Sequence, residues 1–238
     1  MRLLLILPAY NEEKSILSTV EQIRRASFPD TLTVEYLVIN DGSTDRTAAL
    51  CREHGIPCLS LLQNLGIGGA VQTGYLYAAR RGYDIAVQFD GDGQHDIHSL
   101  ETLTAPLVEG SCDFVVGSRF LREEGGFRST FLRRVGIRYL SSLIFLVTGQ
   151  RIRDVTSGYR AANRAVIRFF ARDYPVDYPE PESLVRLCAN GFRVREAPVN
   201  MFPRQEGRSS IGRLQSVYYM LKVTLAILYA AVQRGRRS

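Results

Sequence analysis

The sequence predicts an α/β fold: a mostly parallel central sheet with helices on both faces and a C-terminal helix that is amphipathic or apolar. Two observations carry that reading. Short apolar, β-rich runs alternate with longer helical patterns, and the polar clusters of the first half fall directly after the runs. Composition agrees: 45% hydrophobic and 23% charged residues, with only 20 Gly, 9 Pro and four Cys in 238 residues, exclude disorder, a collagen-like repeat and a disulfide-stapled module.

The elements follow in order. Leu3 to Leu7 is an apolar run that ends at Pro8, so it reads as a strand and is too short for a signal peptide. A helix from about Glu12 to Arg25, a strand at Val34 to Ile39, a helix from about Arg46 to His54 and a short strand near Cys58 to Leu61 come next. Then follow a helix from about Ile67 to Arg81, a strand at Ile85 to Phe89, a helix from about Ser99 to Leu107 and a strand at Phe114 to Gly117. Near the C-terminus, Leu214 to Val232 is a helix about 28 Å long, interrupted by Lys222 and marginal for a membrane crossing.

Three polar motifs each follow a strand: Pro8 to Glu13, Asn40 to Asp45 and Asp90 to Asp96. They therefore share one edge of the sheet, the carboxyl end of the strands, where open α/β sheets bind ligands. The first turn lacks GxGxxG, which argues against a dinucleotide site. Asp90 and Asp92, one small residue apart at a strand end, suit a hard cation such as Mg²⁺ or Mn²⁺ shared with a diphosphate. His95 and His98 have no further His or Cys at zinc spacing. Ser43 or Thr44 reads as a helix cap with Asp45 in the first turn, and Asp41 comes early enough to accept hydrogen bonds from a base or ribose. Asn64 to Gly69 is a glycine-rich helix entry that fits either a phosphate cradle or close packing.

Charge is segregated. Residues 1–118 carry 8 Lys+Arg against 15 Asp+Glu, whereas residues 119–238 carry 22 against 9. The acidic half suits a divalent cation and the basic half suits phosphate groups or an anionic membrane surface. No nucleic-acid recognition motif accompanies the basic half. Cys51, Cys58, Cys112 and Cys188 form no CxxC, which points to a reduced, cytoplasmic protein.

The ordered motifs PAYNEE, NDGSTD, NLGIGGAVQTG, QFDGDGQHD, VVGSRF, DVTSGYR and PRQEGRSSIG resemble those of family 2 glycosyltransferases, in the branch of dolichyl-phosphate mannose synthase and bacterial polyprenyl-phosphate glycosyltransferases. The resemblance runs from Leu3 to about Ala230. It implies a GT-A fold over residues 1–212, with 1–118 as a nucleotide-binding half, 119–212 as an acceptor half and 213–238 as the C-terminal helix. It also implies a UDP- or GDP-linked sugar donor and an inverting displacement at the anomeric carbon.

By the same resemblance, Pro8, Tyr10, Glu12 and Asp41 line the nucleoside pocket, and Asp90, Asp92 and Gln94 hold the metal and diphosphate. Arg119, one of Arg133 or Arg134, and Arg204 face phosphates, while Asp154 and Ser157, Gly158 and Tyr159 shape the sugar and acceptor side. Glu182 falls near an acidic position that serves some relatives as a base. The run from Tyr178 to Glu182, and Ser210-Ile211 after Arg208-Ser209, depart from the pattern and leave the donor sugar open.

A hydroxyl acceptor needs a general base, whereas a phosphate monoester is already anionic at pH 7 and asks for cations instead. The stretch from Arg119 to Arg168 holds eleven arginines, whose planar forks suit phosphate oxygens. A polyprenyl phosphate acceptor at the inner face of the cell membrane is therefore the leading expectation. The alternatives are a sugar hydroxyl acceptor, with Glu180 or Glu182 as base, and a nucleotide-sugar-binding subunit without turnover. The C-terminal helix has three uses open to it: packing internally, lying on an anionic bilayer, or joining a second copy of the chain.

Overall fold

The computed structural model describes residues 1–121, 131–177, 179–202 and 213–234, with the side chains of 131–133, 213–219 and 231–234 left aside. In chain order the elements are β1 (Arg2–Ala9), α1 (Ile16–Arg25), β2 (Thr33–Asn40), α2 (Thr47–Glu53), β3 (Cys58–Ser60), α3 (Gly66–Arg81), β4 (Ile85–Gln88) and α4 (Leu100–Val108). The second half adds β5 (Phe114–Ser118), α5 (Phe131–Thr148), β6 (Arg160–Asn163), α6 (Arg164–Arg172), α7 (Pro179–Ala189), β7 (Val194–Pro198) and α8 (Arg213–Arg234).

The strands form one seven-stranded sheet in the order β3-β2-β1-β4-β6-β5-β7. β6 alone runs antiparallel to its neighbours β4 and β5; the remaining pairings are parallel. β1 is an interior strand between β2 and β4, and alternation along it divides the core. Leu4 and Ile6 pack in the layer of α3, α6 and α7, while Leu3, Leu5 and Leu7 pack in the layer of α1 and α4. All five are buried, each stabilising the fold by roughly 1.5–3 kcal/mol.

Two local expectations change. The helix expected from Glu12 begins at Ile16, because Asn11 takes a left-handed turn at φ 57° and the next amides reach the neighbouring loop. Glu12 N–H donates to Thr47 Oγ1 at 2.8 Å and Glu13 N–H to Asp45 Oδ2 at 3.0 Å. α2 starts at Thr47 with Arg46 at the N-cap position, and Asp45 just before it accepts from Thr47 N–H at 2.8 Å; the Ser43 hydroxyl and the Thr44 N–H instead meet Asn11. The first two loops of the sheet edge are thus zipped together by side chains.

The C-terminal helix packs on α5 and α7 through Val223, Ile227 and Ala230, and leaves Leu221, Leu225, Leu228 and Tyr229 exposed. Helical spacing puts Leu214, Val217, Tyr218, Leu221, Leu225, Leu228 and Val232 on one face, and of that stripe Leu221, Leu225 and Leu228 are turned to solvent. Its other members, Leu214, Val217, Tyr218 and Val232, have side chains outside the described set. Among the described residues no helix is long and apolar enough to cross a membrane.

Candidate active site

At the carboxyl edge of β1, β2 and β4 lies a cleft of about 390 Å³. Pro8, Tyr10, Glu12 and Asp41, expected on the nucleoside side, line it together with Asp90 and Asp92. Asp41 is 3% exposed and accepts a 2.7 Å hydrogen bond from Leu65 N–H, which fixes its carboxylate against the start of α3. The close approach needs Gly42, at φ 67°, where a Cβ would sit 2.8 Å from Asn64 N. In the glycine-rich entry, Gly68 serves packing, since its Cβ would sit 2.2 Å from the Val176 carbonyl oxygen. Its neighbour Ile67 lines the cleft.

The loop after β4 is held from behind. Asp92 accepts from Gln94 N–H at 3.0 Å, and Thr19 donates to the Gly91 carbonyl at 3.1 Å. Asp90 N–H donates to His95 Nδ1 at 3.0 Å, and Gln88 Nε2 donates to Asp90 Oδ1 at 3.3 Å. His95 is 2% exposed and stacks on Tyr159 with ring centroids 4.5 Å apart. Burial pushes its pKa below the ordinary value, against the nearby Asp90 and Asp92 charges, so the ring is neutral. Gln94 holds the loop's far side by accepting from Phe202 N–H at 2.8 Å.

Antiparallel β6 brings the second half to the cleft by pairing Arg160 with Gln88. It presses Gly158 on Asp90: a Cβ at Gly158 would lie 3.0 Å from Asp90 Oδ2. Tyr159 is fully buried and its hydroxyl donates to the Asp96 carbonyl at 3.2 Å, while Ser157 Oγ is buried with no hydrogen-bond partner among the described residues. The 1%-exposed Arg160 guanidinium has no carboxylate within ion-pair distance among the described residues. It donates instead to the carbonyls of Ser157, Val155 and Glu180 and to Ser183 Oγ.

Arg119, expected to face phosphates, and Asp154, expected to shape the sugar and acceptor side, are brought together as a buried pair. Arg119 Nε and Nη2 meet Asp154 Oδ2 and Oδ1, each at 2.7 Å, and Arg119 N–H adds a third bond at 3.0 Å. The Glu196 carboxylate holds the Arg153 and Asp154 amides at 2.9 Å each. Arg134 lies on α5, exposed and outside the cleft lining; Arg204 and the Arg133 side chain lie outside the described residues.

Of the two glutamates at the start of α7, the structure puts Glu180 in the cleft lining and ties Glu182 to Arg186 at 2.6 Å, one helical turn on. Burial raises the Glu180 pKa; Arg160 opposes that shift and the Asp90 charge adds to it. Sequence reasoning offered either glutamate as base and matched Glu182 to the family position, weighed His95 only as a zinc ligand, and gave no individual role to Gln88 or Arg160. The only signal for the last three was membership of the QFDGDGQHD and DVTSGYR motifs.

Among the described residues no cluster of three or more His, Cys, Asp or Glu stands ready for a metal. Two cleft-lining carboxylates do fit Mg²⁺ or Mn²⁺, which commonly take one or two carboxylates and complete their shell with substrate phosphates and water. Asp90 and Asp92 would hold such an ion.

The comparisons agree with this geometry. The chain is 30% identical to the polyprenol monophosphomannose synthase of Mycolicibacterium smegmatis, covering 99% of this chain and 90% of that one. It is 31% identical to the undecaprenyl-phosphate mannosyltransferase of Micrococcus luteus over 89% of this chain and 88% of the relative. With a dolichyl-phosphate N-acetylglucosaminyltransferase of Methanococcus voltae it shares 29% identity over 82% and 83%. Among solved structures, glucosyl-3-phosphoglycerate synthase from Mycobacterium tuberculosis, in complex with Mn²⁺, UDP-glucose and phosphoglyceric acid, superposes with a TM-score of 0.70 at 19% identity. That match covers 97% of this chain and 79% of the other, and shows a shared GT-A-type fold. The Glycosyl transferase family 2 pattern matches residues 4–172, and with it the chain belongs to glycosyl transferase family 2.

Proposed function

We propose that this protein is an inverting glycosyltransferase that moves a sugar from a UDP- or GDP-linked donor to a polyprenyl phosphate. One observation carries the donor half of the reading: Asp41, Glu12 and Tyr10 line the same cleft as Asp90 and Asp92, so one nucleoside diphosphate can span both groups. A divalent cation bound with the diphosphate supplies charge neutralisation as the nucleoside diphosphate departs. Asp90 and Asp92 would hold it, with Gln94 closing the turn behind Asp92. The buried Arg160 guanidinium ties β6 to the Glu180 carbonyl and so sets the wall opposite.

The acceptor half is supported by the three relatives, each named for transfer to a polyprenyl or dolichyl phosphate or for a polyprenol phosphate sugar product. A phosphate acceptor attacks as an anion and needs no base. Residues 1–118 provide most of the donor wall, residues 119–212 the acceptor side, and 213–238 the membrane contact. The exposed Leu221, Leu225, Leu228 and Tyr229 face suits an anionic bilayer at the cytoplasmic side. The same face is the one through which a second copy would join.

A second reading rests on Glu180. Its half-buried, cleft-lining carboxylate, with a raised pKa, is placed where a base for a sugar hydroxyl acceptor would act. Initial rates across UDP- and GDP-sugars with Mn²⁺ or Mg²⁺, with and without undecaprenyl phosphate, test both. Transfer to the lipid phosphate that survives Glu180→Gln supports the first reading. Transfer only to sugar hydroxyls, with a loss of roughly 10²-fold or more in Glu180→Gln, rejects it.

A further inference from the structure

His95 meets Asp90 through one hydrogen bond and one longer contact. The Asp90 N–H donates to Nδ1 at 3.0 Å, so that nitrogen is the acceptor and the ring proton sits on Nε2. Nε2 in turn lies 3.4 Å from Asp90 Oδ2. The imidazole cannot swing away, because it is stacked on Tyr159 and meets Phe89 edge-on at 5.5 Å between centroids. On the other side of the carboxylate, Gln88 donates to Oδ1, and Gly158 leaves no room for a side chain beside Oδ2. An Asp-Gly-Asp turn has backbone freedom of its own: Gly93 sits at φ 75° and would let the loop adopt other arrangements. The imidazole removes that freedom at the residue where the ligand geometry matters.

We propose that His95 is a positioning residue that acts through Asp90, holding its main chain and carboxylate in the orientation that captures a divalent cation together with a nucleoside diphosphate. It touches neither substrate nor cation itself. The inference rests on the metal-dependent donor binding proposed above and goes further in assigning the cleft's metal affinity to a residue behind it.

The test uses the full chain, with Mn²⁺ plus UDP and, in parallel, Mn²⁺ plus GDP as probes. Binding is measured by calorimetry and by the electron paramagnetic resonance signal of the bound ion, each nucleotide being titrated again in EDTA. Wild type binds one nucleotide more tightly with Mn²⁺ than in EDTA. His95→Phe fills the same space without an acceptor, and should weaken Mn²⁺-dependent binding by about ten- to a hundredfold while the affinity in EDTA is unchanged. His95→Asn, whose Oδ1 can still accept the Asp90 N–H, should keep most of the Mn²⁺ affinity, and His95→Gln should keep less. Should His95→Phe fail to fold, the order of Asn above Gln decides the matter.

Parity of His95→Phe with wild type overturns the proposal, and so does Gln at or above Asn. An equal loss in EDTA also overturns it, because that marks a collapsed loop. Wild type showing no Mn²⁺-enhanced binding of either nucleotide rejects the metal-dependent reading itself, a result distinguishable from failure of the His95 variants.

Discussion

The two halves of the chain handle charge in opposite ways. In residues 1–118 the cleft-lining acids Glu12, Asp41, Asp90 and Asp92 stand at the ends of β1, β2 and β4, held by hydrogen bonds from hydroxyls and main-chain or side-chain N–H groups. In the second half the buried cations turn inward: Arg119 is neutralised by Asp154, and Arg160 is solvated by three carbonyls and a hydroxyl. Arg164 pairs with Asp84. A basic half is therefore not the same as a surface of available cations. Among the described arginines between Arg119 and Arg168, the two with buried side chains, Arg119 and Arg160, are engaged by partners within the fold.

The largest effect that would break this contrast belongs to the acidic edge. Asp92→Asn should lower kcat by at least about two decades, since a metal ion contributes several kcal/mol to transition-state charge stabilisation. The fold should persist, as judged by circular dichroism, and EDTA should abolish wild-type turnover. Wild-type turnover unchanged in EDTA would remove the acidic edge from the chemistry.

Next comes the buried pair. Arg119→Met leaves Asp154 as an uncompensated buried carboxylate and should destabilise the protein by about 3–5 kcal/mol in urea unfolding. The double variant Arg119→Met/Asp154→Leu should recover most of that loss, because two apolar residues can replace a buried ion pair. If Arg119 also reaches a phosphate during turnover, activity stays low in the double variant. If its role is organisation alone, activity returns with stability.

Glu180 offers a pH-dependent test of smaller size. Its folded pKa lies above the ordinary 4.5, so the folded state binds its proton more tightly than the unfolded chain does. The contribution of this group to stability is therefore greatest below about pH 4.5 and declines as pH rises through the folded value. Glu180→Gln should raise Tm at pH 7 and leave it close to wild type near pH 4. The opposite ordering would show that the carboxylate is stabilised as an anion. The smallest effect on stability is expected at the exposed face of α8: Leu225→Glu, at a position 66% exposed, should change unfolding free energy by no more than about 0.5 kcal/mol. It should still reduce sedimentation with anionic vesicles, and unaltered partitioning would take α8 out of membrane contact.

Much of the acidic edge was legible before any coordinates. Each strand of the first half is a short apolar run and each polar motif follows one, so β1, β2 and β4 and their loops could be placed from patterning alone. β6 could not. It is four residues long, with Ala161 and Ala162 buried and a buried arginine at its start, and it carries neither alternation nor β-branched residues. The choice between Glu180 and Glu182 was equally closed. Two positions on a helix are about 200° apart, so only one can face a given cleft, and nothing in the run Pro-Glu-Pro-Glu says which.

The sequence by itself determined the α/β class, the family, the shared edge of the three polar motifs and the pair Asp90 and Asp92, because these follow from local periodicity and from motifs contiguous in the chain. The tertiary structure decided which glutamate lines the cleft, that Arg119 and Asp154 neutralise each other, and that His95 accepts from the Asp90 N–H while Gly158 lies against the Asp90 carboxylate. Most of these contacts join residues far apart in sequence, and those within one motif depend on which way a loop or helix turns. In both cases the partner is set by the antiparallel insertion of β6 and the packing of α7, which no local pattern records.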